Sequence, residues 1–202
     1  IYTGLFPPHQ IVPACHAPAH VKNYSRSSIE CGTRFAMKDF NRKKLVVIGG
    51  SSGIGKMVSR LVLERGGSAV VVGHRDDRVA ATVKELSQLG VVAGERADLT
   101  IVSEMEDLRS RIDSKHADAD YLVNAAGVFL PKAFLDHTGN DYDHYLSINR
   151  SLFFITQTVA RNMVARNMGG SIVNIGSMWA KQSVAATPSS AYSMAKAGLH
   201  SL

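Results

Sequence analysis

From Lys44 onward the chain alternates short apolar runs with longer stretches in which apolar positions recur every three or four residues. Leu45-Val46-Val47-Ile48, Ala69-Val70-Val71-Val72, Tyr121-Leu122-Val123 and Ile172-Val173 are strand-sized and almost purely apolar. A strand with one wet face would alternate polar with apolar, so unbroken apolar runs fit a parallel sheet covered on both sides. The pattern predicts strands near 44–49, 68–73, 91–96, 120–124 and 171–176, with helices near 53–66, 77–89, 101–115, 139–168 and 189–202. Strands alternating with helices are βαβ units, and their right-handed crossovers place helices on both faces. The expected fold class is therefore α/β, a doubly wound parallel sheet in three αβα layers. Ligands of such sheets bind beyond the carboxyl ends of the strands, which directs attention to the residues just after each one.

The two ends break the pattern. Residues 1–36 hold Pro7-Pro8, Pro13 and Pro18 among scattered histidines and show neither period, so this segment is expected not to fold. It lacks the charged start and apolar core of a secretory signal. Met37, followed by Lys38-Asp39-Phe40, reads as a start preceded by leader or vector sequence. A transit peptide is the alternative, since Glu30 is the only acid in the segment. At the other end Leu202 falls inside the last predicted helix with no stop signal, so the nucleotide-binding domain expected over 37–202 is taken as incomplete there, its last strands missing.

Composition narrows the class. The 202 residues are 45% hydrophobic and 20% charged, ordinary for a globular protein, and no apolar run approaches the roughly 18 residues of a membrane span, so no membrane partner is expected. Cys15 and Cys31 both lie in the first 36 residues, leaving the body without a thiol, which suits a cytoplasmic location. The eight histidines show no metal-ligand spacing, so no metal is expected. The net charge of +6 is scattered along the chain, and its densest run, Arg42-Lys43-Lys44, merely precedes a strand. That distribution argues against a nucleic-acid partner and is equally explained by a phosphate-bearing cofactor.

The first predicted strand runs into Gly49-Gly50-Ser51-Ser52-Gly53-Ile54-Gly55 and then a helix with Met57, Val58, Leu61 and Val62 on its expected buried side. Glycines let the backbone turn sharply and approach a pyrophosphate, while the amides and dipole of the helix start favour its charge. The spacing of Gly49, Gly53 and Gly55 resembles the short-chain dehydrogenase/reductase family, with Ile48 where that family often has Thr. The resemblance covers about Lys44 to Leu202 and implies a Rossmann-type fold that binds NAD(P). It implies cofactor contacts from Gly49, Ser51, Ser52, Gly53, Ile54 and Gly55, from Asp98 and Leu99 at the adenine, and from Asn124-Ala125-Ala126-Gly127, where Ala125 replaces a second Asn. Asp98 also suits a cap for the segment after Thr100, and the two roles are compatible. After the second strand, Gly73-His74-Arg75 lacks the acid that would hold the ribose hydroxyls of NAD. Arg75 is placed to pair with a 2′-phosphate, so NADP is the preferred cofactor. NAD remains possible if Asp76 or Asp77 serves the ribose.

Tyr192 and Lys196 lie four apart on a predicted helix and so share a face. A free tyrosine holds its proton until about pH 10, and a nearby cation is needed for it to exchange that proton near neutrality. Ser177 follows the fifth strand at the ligand-binding end of the sheet. Asn149 sits in a helix interior that its propensity disfavours, which suggests a specific polar task. In order and context Asn149, Ser177, Tyr192 and Lys196 resemble the family's catalytic set. That implies an oxidoreductase passing hydride between NADP(H) and a ketone or secondary alcohol, with Ser177 orienting the oxygen, Tyr192 exchanging the proton, Lys196 supplying the charge and binding the nicotinamide ribose, and Asn149 holding a relay water. Tyr192 and Lys196 thus count among the cofactor contacts too. The alternatives are a nucleotide-binding relative without turnover and an inactive fragment of the enzyme; an incomplete pocket predicts low turnover. The expected partners are a small carbonyl or alcohol substrate and, for the complete protein, further copies in a homotetramer or homodimer through helices 139–168 and 189–202. Trp179 is left open between pocket wall and core.

Overall fold

The computed structural model describes residues 39–182 and 186–202. All of them belong to a compact unit beginning at Ala36. The expected non-folding segment 1–36 and the start at Met37 lie outside the described residues.

The strands are β1 (Lys44–Ile48), β2 (Ser68–Gly73), β3 (Val92–Arg96), β4 (Tyr121–Asn124) and β5 (Ser171–Asn174). The helices are α1 (Gly53–Glu64), α2 (Asp76–Leu86), α3 (Val102–Lys115), α4 (Gly139–Ala165) and α5 (Ser190–His200). Every strand pairs in parallel, in the order β3-β2-β1-β4-β5. The order runs outward from β1 in both directions, so the crevice between β1 and β4, where the winding reverses, is the point at which such sheets take their ligands.

The period-two geometry of the strands divides the core. Val46, Ile48, Val70, Val72 and Leu122 pack with Met105, Leu108 and Ile112 of α3 and Leu152, Ile155 and Val159 of α4. On the other face, Leu45, Val47 and Val123 meet Val62 of α1, while Ala69 and Val71 meet Leu63 of α1 and Leu86 of α2. The apolar runs are unbroken because both faces of β1, β2 and β4 are covered.

Helix α1 departs from expectation. Met57 and Leu61 are 52% and 45% exposed, and the helix instead buries Gly55, Ser59, Val62 and Leu63. Small residues on the inner stripe bring α1 close to the sheet: a Cβ at Gly55 would collide with the Gly49 carbonyl oxygen. Ser52 occupies its N-cap position in extended conformation without a side-chain bond to the helix. At the far edge of the sheet, β5 exposes Ile172 (37%) and Val173 (49%). Among the described residues no helix is long and apolar enough to cross a membrane.

Candidate cofactor cleft and active site

A cleft of about 460 Å³ opens at the carboxyl ends of β1 to β4. It falls within the roughly 300–1,000 Å³ of small-molecule sites. Its wall begins with Gly49, Ser51 and Ser52. Gly49 has φ of +83°, a left-handed conformation that favours glycine, and a Cβ there would lie 2.6 Å from the Ala126 nitrogen. The turn after β1 therefore rests on the turn after β4. Gly53, with φ of +52°, opens α1. No acid lies in the first turn of α1, so its amides and positive dipole end face the loop unneutralised. Gly53, Ile54 and Gly55 do not line the cleft; Gly55 serves the close packing of α1, and Ile54 is exposed.

The wall after β2 differs from expectation. Arg75 does not line the cleft: its guanidinium forks onto Asp77 through Nε (3.0 Å) and Nη2 (2.6 Å). The reason is local, because Arg75 is the N-cap of α2 and Asp77 lies in the first turn. His74 and Arg78 line the cleft instead. Gly73 permits the approach, since a Cβ there would stand 2.6 Å from Ser51 Oγ. Arg78 is one helical turn beyond Arg75, a spacing readable from the predicted helix but left unused.

After β3, Asp98 and Leu99 both line the cleft. Asp98 Oδ1 accepts from Thr100 N (2.9 Å) and Thr100 Oγ1 (2.7 Å). Partial burial pushes its carboxyl up, but the two bonds from Thr100, with the nearby His74 and the Arg96 guanidinium, outweigh this and hold it below the usual range. Turn stabilisation thus uses one oxygen, and the same residue still faces the cleft.

After β4, Ala125, Ala126 and Gly127 line the cleft while Asn124 lies fully buried beneath it. Asn124 Nδ2 donates to Thr156 Oγ1 and Asn174 Oδ1, each at 2.8 Å, tying β4 to α4 and β5. Asn124 therefore fixes the turn from below. Tyr145, which sequence reasoning passed over, fixes it from the side: its hydroxyl donates to the Leu130 carbonyl and accepts from Leu130 N, each at 2.9 Å. Its position one helical turn before Asn149 was the available signal.

The expected chemical residues gather beside this turn. Lys196 is buried, its Nζ donates to the Ile175 carbonyl (2.9 Å), and a Cβ on Gly127 would lie 3.3 Å from that nitrogen. The same Nζ is 5.9 Å from the centre of the Tyr192 ring. Asn149 Nδ2 donates to the Ala195 carbonyl (2.6 Å), linking α4 to α5 next to Lys196. Ser177 caps a short 3-10 turn over Met178–Ala180, its Oγ accepting from Trp179 N (3.3 Å), while its own N–H donates to His200 Nε2 (3.3 Å). None of these four residues lines the 460 Å³ cleft itself; Lys196 approaches its wall at Gly127.

Burial pushes the Lys196 ammonium below the ordinary lysine range. With the folded value below the unfolded one, the unfolded chain binds more protons between the two, so stability rises with pH through that window. At neutral pH the buried charge opposes folding. Lys196→Met is therefore expected to leave the melting temperature of the cofactor-free chain unchanged or raised, while diminishing the stabilisation given by added NADPH; thermal melts with and without NADPH check both parts.

A doubly wound sheet with a glycine turn, an open helix start and a cleft at its switch point defines a dinucleotide-binding fold. The short chain dehydrogenase family model matches residues 43–202, and the chain belongs to that family of NAD(P)-binding oxidoreductases. It is 32% identical over 159 residues to a 3-oxoacyl-[acyl-carrier-protein] reductase of Chlamydia pneumoniae, covering 78% of this chain and 63% of that protein. It is also 32% identical over 163 residues to a D-beta-hydroxybutyrate dehydrogenase of Rhizobium meliloti, covering 79% and 62%. Among solved structures, a short chain dehydrogenase from Mycobacterium smegmatis superposes with a TM-score of 0.73 at 26% identity, covering 82% of this chain and 68% of that one. The chain spans less than two thirds of the length of these two curated relatives.

Proposed function

We propose that these residues form the cofactor site and proton-transfer centre of an NADP(H)-dependent oxidoreductase that interconverts a ketone and a secondary alcohol. The observation that carries the reading is the buried Lys196, seated between the cofactor-side turn at Gly127 and the ring of Tyr192. When bound, the nicotinamide supplies or accepts the hydride. The turn at Gly49, Ser51 and Ser52 and the start of α1 would hold the pyrophosphate, and Asp98 and Leu99 would receive the adenine end. Tyr192 gives a proton to the substrate oxygen in reduction and takes it back in oxidation. Ser177 orients that oxygen, and Asn149 fixes the backbone of α5 beside Lys196. The likeness to both a reductase and a dehydrogenase supports reaction at a carbonyl or alcohol carbon. We place the enzyme in the cytoplasm and in a homotetramer or homodimer, built on the exposed apolar side chains Phe153 of α4 and Met194 of α5.

For the 2′-phosphate, Arg78 with His74 replaces Arg75 as the reader, since those two line the cleft and Arg75 is occupied by Asp77. A guanidinium facing a phosphate gives a paired, charge-assisted contact that NADH cannot use. Arg78→Ala is expected to weaken NADPH binding about tenfold to a hundredfold, in line with roughly 1.5–3 kcal/mol for bonds to charged groups, and to leave NADH unchanged. Arg75→Ala is expected to change neither. Fluorescence titrations with the two cofactors test the cofactor site, and equal affinity of the parent chain for both would remove the preference for NADP.

A further inference from the structure

The turn after β4 has two sides. Val128 and Leu130 line the cofactor cleft, whereas Phe129 between them packs against Tyr192, with ring centres 4.8 Å apart and planes at 60°. Trp179, two residues after Ser177, stacks on Phe129 at 6.0 Å and 21°. The third ring around Tyr192 is Tyr145, at 5.9 Å. The cofactor-side turn and the Ser177 turn thus meet through two aromatic rings, next to the residue that exchanges the proton. Phe129 remains 41% exposed and its neighbour in the other turn, Met178, 59% exposed, so this shelf presents open apolar surface. The segments that meet, Val128-Phe129-Leu130-Pro131 and Met178-Trp179-Ala180, hold no charged side chain, no hydroxyl and no amide.

We propose that Phe129 and Trp179 are specificity-determining residues for a ketone that bears an aryl ring on one side of its carbonyl, or for the corresponding secondary alcohol. The inference rests on the reading of Tyr192 as the proton donor. A polyhydroxylated substrate would need several side-chain hydrogen-bond partners where these segments offer one, the indole N–H of Trp179, and a charged one would lose solvation against them without compensation. An alkyl chain would gain from area alone. An aryl ring gains more, because aromatic pairs in stacked or edge-to-face geometry add about threefold to tenfold in affinity beyond burial.

Trp179 is the only tryptophan of the chain, so its emission reports the shelf directly. The chain is titrated with acetophenone and with cyclohexyl methyl ketone, probes of similar size that differ in the ring, first alone and then with NADP+ present so that no reduction proceeds. The expected result is saturable quenching by acetophenone, above the linear collisional quenching of a free tryptophan derivative. Its affinity should exceed that of the cyclohexyl compound about threefold to tenfold, the latter read by competition. Phe129→Leu should erase that difference, and Phe129→Tyr should restore it, which separates lost stacking from a failed fold. Equal affinities for the two ketones, or an aryl preference untouched in Phe129→Leu, would overturn the proposal. Aryl-selective binding together with a Tyr192→Phe variant that keeps the parent's NADPH-dependent rate would instead leave the shelf standing and remove the reading of Tyr192.

Discussion

Tyr192→Phe is expected to lower kcat for ketone reduction about a thousandfold, the size general acid–base catalysis contributes, while cofactor affinity stays within about twofold. The substitution isolates the hydroxyl. Phe keeps the ring that packs edge-on to Phe129 and Tyr145, so the aromatic cluster around it persists. It also keeps the ring beside Lys196, and the bond from Lys196 to the Ile175 carbonyl does not involve Tyr192 at all. A thousandfold loss corresponds to about 4 kcal/mol of transition-state stabilisation. That is more than removal of one ordinary hydrogen bond would cost, so the measurement separates a proton donor from a residue that only positions substrate. Steady-state NADPH oxidation gives kcat, and a NADPH titration of the same preparation gives the affinity. If the variant kept most of its rate, Tyr192 would be a wall of the pocket and the proton would have to come from elsewhere.

Residues whose role follows from chain direction were legible in the sequence. Strand-length apolar runs predicted β1, β2 and β4 because covered parallel strands leave no other pattern, and the residues just beyond these three line the cleft because the sheet geometry puts them there; β5 was legible from Ile172-Val173 although that pair is exposed. What the sequence concealed depends on side-chain direction within a turn of helix. Arg75 and Arg78 are one turn apart; Arg75 is paired with Asp77 while Arg78 lines the cleft, a difference that the spacing alone does not reveal. Met57 and Leu61 looked like core because they are apolar, yet they lie off the inner stripe of α1, which is formed by Gly55, Ser59, Val62 and Leu63, with Gly55 at the point of closest approach. Tyr145 reads as an ordinary core aromatic. Its task, gripping the backbone of Leu130, appears only when α4 and the turn after β4 are seen together. The alternation that turns Phe129 away from its neighbours is likewise a property of an irregular segment with no period to reveal it.

The largest structural effect is expected at Gly49. Alanine there must hold a left-handed φ of +83°, which costs about 1–2 kcal/mol for a residue with a Cβ. Its methyl would also stand 2.6–2.8 Å from Ala126 N, Ala126 Cα and the Ala125 carbonyl carbon, all backbone atoms that no rotamer change can move. Forcing that gap open adds about 1–3 kcal/mol, as overpacked cores do. The total of roughly 2–5 kcal/mol predicts a fall in melting temperature of about 5–15 °C for a domain of this size. The strain has one direction in which to relax, by pushing the Gly127 turn away from the loop after β1. That turn carries the cleft wall on one side and contacts Lys196 on the other. Gly49→Ala should therefore lose NADPH binding even at temperatures where it stays folded. Gly53→Ala provides the control: its φ of +52° is similarly left-handed, but nothing lies within 4 Å of the added Cβ. It should show only the backbone part of the cost, about 1–2 kcal/mol, and retain its cleft. Calorimetric melts of both variants, paired with NADPH titrations, separate the conformational cost shared by the two glycines from the packing of one turn on another. Equal losses of stability and binding in the two would mean that the contact between the turns after β1 and β4 does not hold the site together.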